Sequence, residues 1–347
     1  MRVHGRTIPA EPGGGNRPEG ISAGAQPDAA GRPALGFVVR PEHPPEDVAS
    51  LARGVEAAGF DEVWLWEDCF FAGGVAAAAT ALAATARVRV GVGILPAPVR
   101  NPAFAAMEIA ALTRMHPGRV LPGIGHGVAA WMRQIGAKPE SQLSLLEETV
   151  GAIRALLAGT EVTVDGRYVR LDGVRLDHPP DEPPPVSVGV RRARSLALSG
   201  RVADGTILSE LSSVPYLRWA RAQIAATRPH RLTVYAWCSV DRDPSAARSA
   251  LRPVVAERLL DGGPQVEQLG IAEEVAAMAA DGGVEAVIAG MPDAWIDSVA
   301  VVGTPEECAA AVAALGAAGA DAVVLVPPRP DVAAEALGRE LLPMLDR

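Results

Sequence analysis

The chain has little lysine and no clustered metal ligands, which excludes two common classes of enzyme. Lys138 is the only lysine among 347 residues. Aldolases that form a Schiff base need a placed lysine. Metal-dependent hydrolases need a cluster of ligands such as His-x-His, and no such spacing occurs among the six histidines. The sequence therefore predicts no metal site and argues against both classes.

Cysteine, basic charge and long apolar runs are also scarce. The three cysteines, Cys69, Cys238 and Cys308, lie far apart and form no Cys-x-x-Cys, so we expect neither a disulfide framework nor a zinc cluster. A net charge of −9 lacks the basic face that nucleic acid needs. No apolar run reaches the roughly 18 residues of a membrane span. We expect a cytoplasmic protein with a small-molecule substrate and no nucleic-acid or membrane partner.

Glycine and proline are concentrated at the start of the chain. Residues 1–34 contain 7 glycines and 5 prolines. A segment of this composition buries too little apolar surface to offset the entropy of ordering it. The sequence predicts a disordered tail over 1–34 and one domain over 35–347.

Eight short apolar segments alternate with helical patterns along that domain. Strands that alternate with helices indicate a parallel sheet covered on both faces. Eight such units favour an α/β fold of the (β/α)8 TIM-barrel type with insertions, and an open doubly wound sheet is the alternative. One insertion contains Asp165-Gly166, which is a hairpin turn signal. The predicted strands are 35–39, 62–66, 88–94, 120–124, 186–189, 205–208, 232–240 and 322–326.

Three successive strands end in glycine, polar or acidic residues. These ends are Trp66-Glu67-Asp68-Cys69, Gly93-Ile94 and the stretch Gly-Ile-Gly-His-Gly over 123–127. Loops at the C-terminal ends of barrel strands carry the chemistry of the fold. No Gly-x-Gly-x-x-Gly follows the first strand, so a Rossmann dinucleotide site lacks its usual sequence mark.

The order of these motifs resembles the bacterial luciferase-like monooxygenase superfamily. It is most similar to the coenzyme F420-dependent branch, which includes methylenetetrahydromethanopterin reductase. The motifs that carry the resemblance are Trp64-Leu-Trp-Glu-Asp-Cys-Phe, Gly91-Val-Gly-Ile, Arg100-Asn-Pro, Pro117-Gly-Arg and Gly123-Ile-Gly-His-Gly. Relatives in this superfamily are commonly dimers, so the resemblance also implies a homo-oligomer.

The resemblance implies an oxidoreductase that transfers a hydride between reduced coenzyme F420 and an organic substrate. That substrate would carry an activated C=C bond, an imine or an alcohol/carbonyl pair. An FMN-dependent monooxygenase that uses oxygen and a non-catalytic paralogue that binds a ligand are the alternatives.

The resemblance also implies three candidate catalytic residues: Asp68, Glu67 and His126. Relatives often carry Asp-His where this chain has Asp68-Cys69, so the histidine is replaced. Asp68 would face the deazaflavin, although an Asp at this position can instead cap the following helix. His126 lies between two glycines and would transfer a proton or only hydrogen-bond the cofactor.

The cofactor-binding candidates fall into two groups. Relatives place a non-proline cis peptide, within a bulge against the ring, where this chain has Gly93-Ile94. They bind the cofactor phosphate around the loop that matches Gly189-Val-Arg191-Arg192, and a helix N-terminus and arginines suit an anion. An ordinary strand end and a solvated arginine run are the alternatives. The candidates are Gly93, Ile94, Gly125, Gly127, Gly189, Arg191 and Arg192.

Overall fold

Eight parallel strands close into a barrel in the computed structural model, which describes residues 32–345. Its neighbouring strands run β1-β2-β3-β4-β7-β8-β9-β11, and β11 pairs back onto β1. The predicted TIM barrel is therefore confirmed. The strands in chain order are β1 (Ala34–Val39), β2 (Glu62–Leu65), β3 (Arg89–Pro96), β4 (Val120–Gly125), β5 (Val162–Asp165), β6 (Arg170–Val174), β7 (Ser187–Gly189), β8 (Gly205–Leu208), β9 (Arg231–Val240), β10 (Ala300–Gly303) and β11 (Ala322–Val326).

Helices cover the outside of the barrel between successive strands. In the first of them Val48, Ala52 and Val55 form a buried stripe, and Gly59 ends the helix at a φ of 96°, which glycine adopts without steric cost. The helices are α1 (Val48–Ala58), α2 (Gly74–Ala84), α3 (Pro102–Met115), α4 (Ala129–Gln134), α5 (Gln142–Leu157), α6 (Ala193–Val202), α7 (Val214–Ile224), α8 (Pro244–Leu260), α9 (Pro264–Leu269), α10 (Ala272–Gly290), α11 (Asp293–Val299), α12 (Pro305–Ala317) and α13 (Ala334–Leu345).

Two insertions depart from the simple alternation of strand and helix. The predicted hairpin is present as the antiparallel pair β5–β6. The stretch between β9 and β11 contains α8 to α12 and a short strand, β10, which pairs with β9 outside the closed barrel. Its four buried apolar residues, Ala300–Gly303, fit a short strand as well as a helix end, so periodicity alone does not separate the two.

A buried ion cluster lies at the N-terminal ends of the barrel strands. Glu62, at the start of β2, is fully buried and accepts a hydrogen bond from the Trp64 indole at 2.8 Å. Its carboxylate also pairs with Arg89 at 2.8 Å and with Arg231 at 2.5 Å. Burial raises the pKa of Glu62, but the two guanidiniums outweigh it and hold that pKa below its usual range. The ionised cluster lies at the end of the barrel away from the loops that carry chemistry.

Several sequence predictions concern metals, membranes and the start of the chain. Within residues 32–345, no group of three or more His, Cys, Asp or Glu side chains is placed to hold a metal ion. No single helix there is long and apolar enough to cross a membrane; only α10 and α11 together, bent by 79°, meet that length and composition. The predicted tail over 1–34 lies, up to residue 31, outside the described residues, and β1 already includes Ala34.

Candidate active site

The predicted site residues meet at one end of the barrel. All eight barrel strands are parallel, so their C-terminal ends open on the same side, which we call the mouth. The loops after β2, β4, β7 and β8 and the end of β3 surround it. The residues predicted from three separate strand ends, and the arginines after β7, therefore lie at the same end of the barrel.

A bulge at the end of β3 forms one wall of the mouth. The peptide bond between Gly93 and Ile94 is cis, and the pairing of β3 with β4 shifts register between Val92 and Leu95. The expected cis bulge is thus confirmed. A second cis bond joins Cys69 to Phe70 in the loop after β2.

Glycines on the next two strands make room for the Ile94 side chain. A Cβ added to Gly189 on β7 would lie 2.5 Å from Ile94, and one added to Gly125 on β4 would lie 2.8 Å from it. Such contacts are shorter than carbon atoms tolerate, so larger residues there would displace the Ile94 side chain. Gly127 has a φ of 68°, which lets the chain turn directly after His126.

Buried aromatic side chains fill the barrel beneath the bulge. A Cβ on Gly93 would lie 1.9 Å from the Tyr235 hydroxyl, so only glycine fits there. The Tyr235 ring lies 5.7 Å from that of Trp64 and 5.6 Å from that of Trp66. The Trp66 N–H approaches the Tyr235 hydroxyl without reaching hydrogen-bond geometry, and burial raises the pKa of Tyr235 well above its usual value.

Sequence reasoning missed Tyr235 and its neighbour Trp237. Side chains alternate between the two faces of a strand, so both residues share the inward face of β9 with Arg231. The Tyr235 hydroxyl and the Trp237 indole N–H have no hydrogen-bond partner among residues 32–345. The period-two spacing of large polar-tipped residues along an apolar strand was the available signal.

Glu67 is held in place by Arg100 and by the start of α2. Its carboxylate forms a two-pronged pair with the Arg100 guanidinium, in which Nη2 donates to Oε2 at 2.7 Å. The same Oε2 accepts the Gly74 N–H at 2.6 Å. Helix N-termini leave such N–H groups free, so Glu67 satisfies one of them. Both carboxylate oxygens are therefore already engaged.

Asp68 is half-buried and differs from its neighbour Glu67 in having no such partners. Its carboxylate accepts no hydrogen bond from residues 32–345, and the α2 cap is Gly73, so Asp68 does not cap that helix. Burial, together with the negative charge of Glu210, raises the pKa of Asp68 to about 6 against the opposing charge of Arg258. A carboxyl with this pKa exchanges a proton near neutral pH.

His126 points from the end of β4 toward the start of α6. Its Nε2 lies 3.2 Å from the Ser195 hydroxyl, in the first turn of that helix. Burial lowers the pKa of His126 below 6.5, although a hydrogen bond with the Gln142 backbone opposes the shift. The imidazole is accordingly neutral at pH 7, where it donates from one nitrogen and accepts at the other.

Two arginines precede α6 on the same side of the mouth. Arg192 is the residue before the helix, and the carbonyl of Arg191 accepts a hydrogen bond from the Tyr216 hydroxyl at 2.9 Å. No carboxylate in residues 32–345 pairs with either guanidinium. Unpaired guanidiniums beside a helix N-terminus are chemically suited to an anion such as a phosphate.

Two surface clefts lie away from these residues. Each has a volume of about 380 Å³, and they flank the segment 327–333 between β11 and α13. Neither cleft includes Asp68, His126 or the Gly93–Ile94 bulge. The convergence of polar groups at the strand ends, rather than cleft volume, therefore locates the candidate site.

The fold and the arrangement of strand ends define a barrel enzyme with its site at the mouth. The chain belongs to the luciferase-like monooxygenase family, whose model matches residues 21–322. This match confirms the superfamily that the motif order indicated.

Individual relatives agree with the F420-dependent branch. The chain is 30% identical over 326 residues to 5,10-methylenetetrahydromethanopterin reductase of Methanolobus tindarius, covering 89% of this chain and 99% of that protein. It is 33% identical over 178 residues to F420-dependent glucose-6-phosphate dehydrogenase of Nakamurella multipartita, covering 47% and 52%. The solved coenzyme F420-dependent tetrahydromethanopterin reductase of Methanopyrus kandleri superposes with a TM-score of 0.78 at 23% identity, covering 90% and 99%.

Proposed function

We propose that this chain is a coenzyme F420-dependent oxidoreductase that transfers a hydride between the deazaflavin and an organic substrate. The Gly93–Ile94 bulge, seated against glycines of β4 and β7, is the observation that carries the proposal. The relatives of this chain include a methylenetetrahydromethanopterin reductase and an F420-dependent dehydrogenase, which supports the choice of cofactor.

The residues at the mouth fit a deazaflavin with an anionic tail. The bulge offers a backbone surface for a flat ring. The Ile94 side chain packs against Gly125 of β4 and Gly189 of β7. Arg191, Arg192 and the start of α6 would hold the phosphodiester of the tail. Ser195 and the neutral His126 lie beside the same helix start and would hydrogen-bond the cofactor.

The bound deazaflavin supplies a carbon, in place of flavin N5, that gives or accepts a hydride. A residue of the protein would then accept or donate the proton that accompanies the hydride transfer. In the oxidation of an alcohol, Asp68 as the carboxylate takes the hydroxyl proton while the C–H electron pair leaves as the hydride, and the carbonyl forms. In the reverse direction, Asp68 as the acid returns that proton to the substrate oxygen.

Glu67 has a positioning role in this proposal. Because its two oxygens bind Arg100 and the Gly74 N–H, it is not free to exchange a proton with a substrate. The pair instead fixes the loop that carries Asp68 relative to β3 and α2. His126 stays a hydrogen-bonding group because its neutral form is already favoured at pH 7.

The double variant Arg191→Gln/Arg192→Gln is expected to weaken F420 binding by about 10- to 100-fold, since charged hydrogen bonds contribute roughly 1.5–3 kcal/mol. A deazaflavin that lacks the phosphodiester tail should bind the wild-type protein and the double variant with equal affinity. Equilibrium fluorescence titration of the two ligands measures the effect. Arg170→Gln, on the exposed hairpin, is the matched control. Equal weakening of both ligands would contradict the assignment of these arginines to the tail.

We further propose that the chain forms a homodimer through the outer faces of α2 and α3. Phe104, Met107 and Met115 are more than half exposed on α3, and α2 contains no charged residue. The exposed charges of α3, Glu108 and Arg114, have opposite signs, so two copies of this face can pack without net like-charge repulsion. Met107→Asp should convert the dimer to a monomer in sedimentation, whereas Gly151→Asp on the exposed side of α5 should not. A wild-type monomer would refute the proposal. A cytoplasmic location stays a prediction.

A further inference from the structure

Three buried hydrogen-bond donors lie together next to the mouth without partners. They are the Tyr235 hydroxyl and the indole N–H groups of Trp66 and Trp237, and none of them has a hydrogen-bond partner within residues 32–345. Trp64 packs in the same cluster, but its N–H donates to Glu62 at 2.8 Å. Most buried polar groups of folded proteins are paired, so three unpaired donors in one cluster point to a ligand.

The three side chains form an aromatic cluster at the Gly93–Ile94 bulge. The Tyr235 ring lies 5.6 Å from the Trp66 ring, and Trp237 follows Tyr235 on the same face of β9. The Tyr235 hydroxyl contacts Gly93, because a Cβ added there would lie 1.9 Å from it. Trp66 is partly exposed whereas Tyr235 and Trp237 are buried, so the cluster meets the mouth at the Trp66 ring.

The cluster has more donors than acceptors, however its hydrogens are arranged. An indole N–H only donates, whereas a tyrosine hydroxyl donates once and also accepts. If Trp66 donated to the Tyr235 oxygen, the hydroxyl proton and the Trp237 N–H would still lack an acceptor. Burial raises the pKa of Tyr235 well above its usual value, so the hydroxyl keeps its proton. The ligand atom that suits these groups is therefore an acceptor, such as a carbonyl oxygen.

Arg40 fixes the Trp237 ring from the end of β1. Its guanidinium carbon lies 5.5 Å from the centre of that ring, within the range of a cation–π contact. The guanidinium is itself held, since Nη1 donates to the Pro327 carbonyl and Nε donates to Glu42 Oε2, both at 3.1 Å. A guanidinium has no acceptor, so Arg40 holds the indole in place without pairing its N–H.

We propose that Tyr235, Trp66 and Trp237 bind an oxygen atom of the substrate, and that this substrate is a carbonyl compound or the corresponding alcohol. The proposal rests on the proposed function for the hydride transfer, while binding of the oxygen needs no cofactor. The Trp66 ring turns to admit the oxygen, which then accepts hydrogen bonds from the three donors. When a hydride adds to the carbonyl carbon, the C=O electron pair moves to this oxygen, and the donors stabilise its negative charge until Asp68 delivers the proton.

Tyr235→Phe separates this role from a structural one. The change removes an unpaired buried hydroxyl, so the melting temperature should rise by about 1–3 °C. Tyr216→Phe is the matched control for stability, because the buried Tyr216 hydroxyl donates to the Arg191 carbonyl at 2.9 Å and its loss should lower the melting temperature. A fall in the melting temperature of Tyr235→Phe would show that its hydroxyl is paired within the fold and would overturn the proposal.

The direct test follows the indole N–H signals of the nitrogen-15-labelled, cofactor-free protein by NMR during titration with cyclohexanone. The Trp66 and Trp237 signals are assigned by their loss in the Trp66→Phe and Trp237→Phe variants. Both should move downfield on binding, while the signal of Trp219, on α7, should not move. Tyr235→Phe should weaken the binding of cyclohexanone by about 3- to 10-fold, the loss of one neutral hydrogen bond.

Cyclohexylammonium is the control ligand, because it has a similar ring but carries donors and no acceptor at pH 7. It should produce no downfield movement. Stationary Trp66 and Trp237 signals with cyclohexanone, or equal movement with cyclohexylammonium, overturn the proposal.

The same titration separates this proposal from the cofactor assignment. If the two indole signals move with cyclohexanone but F420 does not bind, the proposed function fails while the oxygen site stands. If F420 binds but the indole signals do not move, the oxygen site fails alone.

Discussion

Replacing Asp68 with asparagine is expected to lower kcat by about 10²–10⁴-fold, the usual contribution of a positioned acid or base. Asparagine has the same shape but neither accepts nor releases the proton. The Asp68 carboxylate makes no hydrogen bond within residues 32–345, so its loss removes no structural contact. Affinity for the cofactor should therefore stay unchanged, and the melting temperature at pH 7 should not fall, because an ionised carboxylate whose pKa is raised by burial costs stability that asparagine does not. Steady-state kinetics and thermal unfolding measure the two effects.

The same residue predicts how the rate depends on pH. In alcohol oxidation the carboxylate form of Asp68 accepts the proton. The pKa of Asp68 is raised to about 6, so this form becomes populated as the pH increases through 6. The oxidation rate should rise as the pH increases through 6, and the reduction rate should fall over the same range. Asp165→Asn, at an exposed position in the hairpin, is the control that should change neither. An unchanged kcat in Asp68→Asn would remove this residue from the mechanism.

Gly93→Ala is expected to destabilise the protein by about 1–3 kcal/mol and to remove cofactor binding, because the added methyl group overpacks the mouth. Its Cβ would lie 1.9 Å from the Tyr235 hydroxyl oxygen. The bulge or the tyrosine must then move, and either movement distorts the surface proposed for the ring. Urea unfolding and F420 titration measure the two losses.

A double-mutant cycle isolates the clash. Tyr235→Phe removes the hydroxyl oxygen, so the next atom to meet the new Cβ is the ring carbon at 3.0 Å. Gly93→Ala/Tyr235→Phe should therefore recover part of the stability that Gly93→Ala loses. Gly151→Ala is the matched control, because nothing lies within 4 Å of a Cβ at that helical position. Strictly additive effects in the cycle would show that the contact does not cause the loss.

Much of the barrel could be predicted from local sequence. The strand Gly205–Leu208 has the predicted bounds, since its apolar run and flanking residues favour a strand. The elements that were not predicted are α4, α7, α13 and the strand Ala300–Gly303. Their structure depends on packing against the barrel and on pairing with β9, which local periodicity does not report.

The residues of the candidate site also differ in how well local sequence predicts them. Motif order located the bulge at Gly93–Ile94 and the basic loop before α6 because each is a continuous piece of sequence. The raised pKa of Asp68 could not be found this way, because Glu210 and Arg258, whose charges act on it, lie more than a hundred residues further along the chain. Glu67 and Asp68 are adjacent in sequence, but only Glu67 forms an ion pair. Its partner, Arg100, comes from another loop, so local sequence does not report the difference.

Binding of F420 in preference to FMN tests the central claim most directly. The purified protein is titrated with each cofactor in turn, and the fluorescence of the ligand is followed. We predict that micromolar F420 is quenched or spectrally shifted on binding, while FMN is neither bound nor copurified. An unchanged F420 spectrum together with copurified FMN would contradict the account and favour an oxygen-using monooxygenase. No response to either cofactor would favour a non-catalytic ligand-binding protein.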